Sequence, residues 1–151
     1  MFDILHRVGI KTSRQNVYQA LATPEGVATW WTVDSTGARE AGGTLRFRFT
    51  DHGRELGVFH MKILELHADT RVVWQVTEGP DEWVGTRIRF ELKQEDDYTI
   101  VLFRHEGWKE PVEFMYHCST KWATFLMSLK SLGETGRGQP SPDDVKVGNW
   151  H

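Results

Sequence analysis

The chain has 151 residues and a mass of 17.5 kDa, a size typical of a single domain. Hydrophobic residues make up 39% and charged residues 26%, which excludes a disordered chain. No apolar stretch approaches the roughly 20 residues that span a bilayer, so we expect no membrane insertion. The formal net charge of −3 lacks the basic excess of nucleic-acid-binding proteins. The N-terminus lacks the basic-then-apolar order of a secretory signal, so we expect a cytoplasmic protein.

The first third of the chain is predicted to form one strand and two short helices. Residues from Phe2 to Ile10 alternate between apolar and polar, which is typical of a strand. The segment Val17–Leu21 then follows a helical pattern. Thr23, Pro24 and an acidic residue next to them are typical of a second helix start. This second helix is predicted to end on the pair Trp30–Trp31.

The middle of the chain changes to a two-residue period, which predicts five antiparallel strands. Their alternating apolar positions lie in the segments Leu45–Phe49, Phe59–Leu66, Val72–Val76, Ile88–Leu92 and Tyr98–His105. A change of parity at Ile63–Leu64 predicts a β-bulge. The intervening basic residues should project from the solvated face; these are Arg46, Arg48, Lys62, Arg87, Arg89 and Lys93.

A long amphipathic helix is predicted near the C-terminus. Its apolar residues recur at steps of three and four, at Phe114, Cys118, Trp122, Phe125, Leu129 and Leu132. Gly133 is predicted to end this helix. We therefore expect a domain over residues 1–133 and a flexible C-terminal tail over residues 134–151, which is rich in glycine, proline and polar residues.

The order of elements predicts an α+β fold, in which a curved antiparallel sheet of about six strands wraps around the long C-terminal helix. Short turns between alternating strands favour antiparallel pairing. The apolar face of such a sheet must be covered, and only the last helix is long enough to lie across it.

The segment VYQALATPEGVATWW, residues 17–31, resembles a motif of the SRPBCC superfamily, the START and Bet v 1-like helix-grip domains. More narrowly it is similar to the branch homologous to the activator of the heat-shock-protein-90 ATPase. The segment His105–Trp108, followed by the helix with Trp122, fits the same pattern. The resemblance covers residues 2–133 and implies a ligand cavity between the sheet and the helix. The co-chaperone itself carries a separate N-terminal chaperone-binding domain, so a chaperone-activating role is not expected for this sequence.

Aromatic residues are the main candidates for ligand binding. Seven Trp and eight Phe are many for a small domain. Nine of these rings take the inward parity of a strand or the apolar side of a helix; they are Trp30, Trp31, Phe47, Phe49, Phe59, Trp74, Phe90, Trp122 and Phe125. Trp83 and Trp108 fall at strand ends, where they could border the opening of a cavity.

Catalytic signals are weak. The sequence contains no P-loop, no dinucleotide-binding motif and no serine-nucleophile motif. His117, Glu113 and Arg104 are the only candidates for acid–base or electrostatic chemistry. Glu113 and His117 lie one turn apart, so a structural ion pair on a solvated stripe is the simpler interpretation. The single cysteine, Cys118, is interpreted as a packing residue, and we expect no metal and no cofactor.

Three functions remain as hypotheses. The first is binding of an apolar or aromatic small molecule in the cavity between sheet and C-terminal helix. The second is a cyclase- or hydrolase-type enzyme that acts on a hydrophobic substrate in the same cavity. The third is a protein-interaction module related to the co-chaperone. A homodimer is a further alternative, and the sequence does not identify the ligand.

Overall fold

The computed structural model describes all 151 residues and contains one antiparallel sheet and three helices. The strands are β1 (Phe2–Ile10), β2 (Asp34–Gly37), β3 (Thr44–Asp51), β4 (Arg54–His67), β5 (Arg71–Glu78), β6 (Arg87–Glu95) and β7 (Tyr98–Trp108). The helices are α1 (Arg14–Ala22), α2 (Pro24–Val27) and α3 (Glu113–Thr135). The sheet order is β1-β7-β6-β5-β4-β3-β2. This arrangement confirms the predicted helix-grip α+β fold.

Both short helices start at a capping residue, and of the two the sequence predicts Thr23. Ser13 caps α1, and the Thr23 hydroxyl accepts a hydrogen bond from the Gly26 amide at 3.0 Å, which caps α2. The indole N–H of Trp30 donates to the Ala20 carbonyl at 2.8 Å. This buried bond ties the Trp30–Trp31 pair to α1 and places both rings under the sheet.

The sheet keeps the predicted parity from β3 to β7. Phe47 on β3 lies opposite Phe59 on β4, and the register shifts between Ile63 and Glu65, as expected for a bulge. The structure adds a seventh strand, β2, which pairs with β3 at the sheet edge. Its sequence, DSTG, has no apolar alternation, because its side chains are not buried against the core.

The convex face of the sheet is charged, as the alternation predicts. Arg89 forms an ion pair with Glu106 at 3.2 Å, and Arg71 forms one with Glu65 at 3.2 Å. These pairs link β6 to β7 and β4 to β5 across the solvated face. The concave face therefore carries the apolar core.

The glycine that caps helix α3 lies three residues beyond Gly133, the predicted one. Gly136, with φ of 83°, caps the helix through its amide bond to the Leu132 carbonyl. Gly133 has another role, because a Cβ there would lie 2.5 Å from the Ile10 side chain. Gly133 thus permits close approach of α3 to β1, and the predicted helix end is corrected.

The segment after α3 differs from the expected flexible tail. Ser141 is only 2% exposed; its amide donates to the Trp31 carbonyl at 2.8 Å, and its carbonyl accepts from the Val33 amide at 3.1 Å. The Gln139 amide donates to the Ser128 hydroxyl at 2.7 Å. The segment packs because α3 and the chain after Trp31 offer it backbone and hydroxyl partners, which a sequence pattern does not reveal.

Candidate functional site

A cavity of about 900 Å³ lies between the sheet and α3. Strands β3 and β4 form one wall, α3 forms the opposite wall, and the β5–β6 connection closes a third side. The C-terminal segment contributes Ser141, Asp144, Trp150 and His151 to the remaining side. The volume falls within the range of about 300–1,000 Å³ that is usual for small-molecule sites.

The nine aromatic residues predicted to bind ligand fall into two groups. Trp31, Phe49, Phe59, Trp122 and Phe125 line the cavity. Trp30, Phe47, Trp74 and Phe90 do not line it, because they are fully buried in the core beside it. Trp31 joins the two groups: its ring centroid lies 4.7 Å from that of Phe47 and 5.2 Å from that of Phe49.

Three further aromatic rings line the cavity. They are Trp83 from the β5–β6 connection, Phe114 from the start of α3, and Trp150 from the C-terminal segment. The position of Trp83 at a strand end is a sequence signal for this role, whereas Trp150 lies in a segment without periodicity. Trp108, the second residue suggested to border the opening, is instead buried against His105 at 5.0 Å between ring centroids.

The indole N–H groups of two cavity tryptophans are already bonded to protein atoms. Trp83 donates to the Cys118 sulfur at 3.4 Å, and Trp122 donates to Nδ1 of His105 at 3.1 Å. The two rings stack with centroids 6.1 Å apart and an interplanar angle of 15°. These two residues therefore contribute aromatic surface to the cavity and no free hydrogen-bond donor.

His105 is a fully buried polar residue behind this wall. Its Nδ1 accepts from Trp122, so its Nε2 carries the proton and donates to the Thr86 hydroxyl at 2.8 Å. Burial lowers the pKa of His105 to about 3, which keeps the ring neutral. The sequence places His105 at the end of a strand and in the family motif, whereas its bond to the Trp122 ring is seen only in the structure.

Cys118 lines the cavity as an uncharged thiol. Burial raises its pKa to about 12, although the hydrogen bond from Trp83 acts in the opposite direction. A thiol with such a pKa is a poor nucleophile at neutral pH. The cysteine acts as a packing residue, as the sequence predicts.

Polar groups lie at the rim of the cavity. On the sheet side, Nδ1 of His60 lies 2.6 Å from Oε2 of Glu78. On the helix side, the Lys121 ammonium forms an ion pair with the Asp144 carboxylate. Burial alone would raise the pKa of Asp144, but hydrogen bonds and charge from Lys121 and Lys146 outweigh it and leave the pKa lowered.

The weak catalytic candidates do not come together. His117 lines the cavity and stacks on Phe114 at 6.0 Å between centroids, with its pKa lowered by burial and by the neighbouring charges of Lys121 and His151. Glu113 is exposed, and it forms no ion pair with His117, which corrects the interpretation of a solvated Glu–His pair. Arg104 lies on the solvated face of the sheet opposite Arg89. No three His, Cys, Asp or Glu residues are grouped so that they could hold a metal ion.

None of the three helices combines the length and the hydropathy needed to cross a membrane. The fold and the cavity together define a helix-grip protein, with a sheet wrapped around a long C-terminal helix. The family described as activator of Hsp90 ATPase homolog 1-like protein matches residues 11–134, and the chain belongs to this family.

Solved structures support the same assignment. The chain is 42% identical to the Aha1 dimer from Colwellia psychrerythraea, with a TM-score of 0.79 over 91% of this chain and 100% of that chain. A protein from Staphylococcus saprophyticus is 18% identical, with a TM-score of 0.75 over 93% of this chain and 98% of the other. A protein of the dynemicin biosynthetic locus is 16% identical, with a TM-score of 0.75 over 90% of this chain and 48% of the other. The last two show the fold alone. No curated protein sequence matches the chain.

Proposed function

We propose that this protein binds an apolar, aromatic-rich small molecule in the cavity between β3, β4 and α3. One observation carries the proposal: a cavity of about 900 Å³ remains between sheet and helix, and eight Trp and Phe side chains line it. Concave sites of this size with an apolar lining and a few polar groups are typical of small-molecule binding. Burial of ligand surface against ring faces would supply most of the binding free energy.

The polar groups at the rim would orient the ligand. His60 with Glu78 lies on one side of the cavity, and Lys121 with Asp144 lies on the other. Because the indole N–H groups of Trp83 and Trp122 are already bonded, we expect the part of the ligand that contacts these two rings to be apolar. Binding without turnover is favoured over catalysis by the predicted acid–base candidates, because of His117, Glu113 and Arg104 only His117 lines the cavity.

The test is a fluorescence titration with N-phenylnaphthylamine, a neutral aromatic probe. We expect saturable binding, quenching of tryptophan emission, and a gain of about 2.7 kcal/mol in the free energy of unfolding at 100 times the dissociation constant. Phe59→Arg introduces a charge into the half-buried part of the cavity wall and should weaken binding by at least about tenfold. Tyr116→Arg is the matched control, since Tyr116 is 72% exposed and lies outside the cavity.

Three results would contradict the proposal. Equal affinity in both arginine variants would mean that the probe binds elsewhere on the protein. Failure of a broad set of apolar compounds to bind would leave the rings as core residues and favour the protein-interaction module. Conversion of a bound compound into a product would favour the cyclase- or hydrolase-type enzyme.

We also propose that a second copy of the chain is a partner. The relative from Colwellia psychrerythraea, at 42% identity over all of its length, is described as a dimer in solution. Size-exclusion chromatography with light scattering should give twice the monomer mass of 17.5 kDa. A monomer mass at high protein concentration would reject this proposal.

A further inference from the structure

The C-terminal strap, defined here as residues 141–151, is the part of the cavity wall that lies outside the family match, which ends at residue 134. Its first residue, Ser141, forms a parallel bridge with Thr32 and bonds to the backbone of Trp31 and Val33. This bridge fixes one end of the strap beside the cavity. The rest of the strap contributes Asp144, Trp150 and His151 to the lining.

Lys121 on α3 is the main anchor of the strap. Its ammonium group donates to the Asp144 carboxylate, to the Val145 carbonyl at 2.5 Å and to the His151 carbonyl at 2.8 Å. An ammonium group has three N–H donors, so all of them are used by strap oxygens. The Lys121 side chain is only 16% exposed, although the residue lines the cavity.

The far end of the strap reaches from α3 to the β3–β4 hairpin. The Trp150 ring contacts Phe114 at 6.3 Å and His117 at 5.6 Å between centroids, while Nδ1 of His151 lies 3.4 Å from the Asp51 carboxylate. Trp150 remains 46% exposed, so this end is held by fewer buried contacts than Ser141. The strap thus joins the two walls of the cavity at its rim.

We propose that the strap determines the charge of the ligand: by occupying every donor of Lys121 it selects a neutral ligand and excludes an anionic one. The proposal rests on the proposed function of the cavity. An anionic group here would find no free donor on Lys121, because strap oxygens occupy all three. It would also approach the carboxylate of Asp144, which Lys121 shares with Lys146, a lysine outside the cavity lining. When the strap is loosened, the Lys121 ammonium becomes available to donate to an anionic ligand. Hydrogen bonds between charged groups are stronger than those between neutral groups.

Two probes that differ by one group test this inference. N-phenylnaphthylamine is neutral, and anilinonaphthalene sulfonate carries the same rings with a sulfonate. The affinity of the sulfonate is measured by displacement of the neutral probe, so that both report the same cavity. We expect the wild-type protein to bind the neutral probe more tightly.

The test variant is the full-length double substitution Asp144→Ala with Trp150→Ala, which removes the carboxylate partner and the aromatic contact of the strap. The preference for the neutral probe should fall by about tenfold. Adding Lys121→Met should restore the preference, because Lys146, the other lysine that Asp144→Ala frees, does not line the cavity. The matched control is Glu134→Ala with Tyr116→Ala, which removes the carboxylate partner of Lys130 and an exposed aromatic ring elsewhere on α3.

Hydrogen exchange separates the possible outcomes. Faster exchange of strap amides in the test variant, together with the loss of preference, supports the inference. Faster exchange without a change of preference overturns the inference. Unchanged exchange also overturns it, because Lys121, Asp144 and Trp150 would then not hold the strap. Failure of the wild-type protein to bind the neutral probe would reject the proposed function itself, which is a distinguishable result.

Discussion

Two regions of the interface between sheet and helices contain the same kinds of residue and differ in packing. In the packed end, Trp30, Phe47, Trp74 and Phe90 are fully buried, and Trp74 meets Phe90 edge to face at 5.3 Å. In the open end, defined by Phe49, Phe59, Trp83 and Phe114, rings of similar size surround about 900 Å³ of space. The abundance of aromatic residues therefore does not by itself distinguish a core from a ligand site.

The difference comes from what covers the sheet in each region. At the packed end, α1 lies against β5 and β6, and the Trp30 indole is bonded to its backbone. At the open end, no second helix lies beside α3, and the cover consists of the β5–β6 connection and the C-terminal strap. Connections of this kind do not interdigitate with the sheet as a helix does, so space remains between the walls.

The largest expected effect that tests this comparison is the loss of a ring. Phe90→Ala at the packed end should reduce the free energy of unfolding by about 3–5 kcal/mol, because it leaves a cavity in a close-packed core. Phe59→Ala at the open end should cost about 1 kcal/mol, since part of its ring already borders space. Denaturant unfolding measures both, and equal losses would show that the open end is packed as tightly as the core.

The next effect concerns His105, which lies between the two regions and holds the Trp122 ring. The pKa of His105 is about 3 in the folded protein, whereas its ordinary value is 6.5. As the pH falls, His105 therefore takes up a proton in the unfolded chain before it does so in the folded one. Titration of His105 should leave the free energy of unfolding unchanged above pH 6.5. Below pH 6.5 it should lower the free energy of unfolding by about 1.4 kcal/mol per pH unit.

The measurement for His105 is the free energy of unfolding at a series of pH values. His105→Gln keeps one donor and one acceptor but does not titrate, so the difference between the variant and the wild-type protein should shrink as the pH falls. A difference that stays constant with pH would mean that His105 takes up its proton equally readily in the folded and unfolded chains, so that burial does not keep the ring neutral.

The smallest expected effect is the response to added volume. Phe49→Trp should change the free energy of unfolding by less than about 0.5 kcal/mol, because the larger ring can extend into the cavity. Phe47→Trp, two residues earlier on the same strand, should cost about 1–3 kcal/mol through overpacking. Thermal unfolding of the two variants compares them directly, and a larger loss for Phe49→Trp would reverse the assignment of the two ends.

The sequence by itself determines the elements and the side of the sheet that each strand residue faces. Alternation places Phe47 inward and Arg48 outward, and the bulge after Ile63 follows from the change of parity. These features are local, because the period of a strand or helix is set by backbone geometry within a few residues. The short strand β2 escapes prediction, since it depends on the edge of β3 and not on its own side chains.

Only the tertiary structure decides which inward rings line the cavity and which are core. Phe47 and Phe49 share one parity on one strand, yet Phe49 lines the cavity and Phe47 does not. The strap shows the same limit: the stripe containing His117 and Lys121 looks solvated in sequence but is covered by residues more than twenty positions away. Such contacts depend on how distant segments meet in space, and no periodicity along the chain encodes that distance.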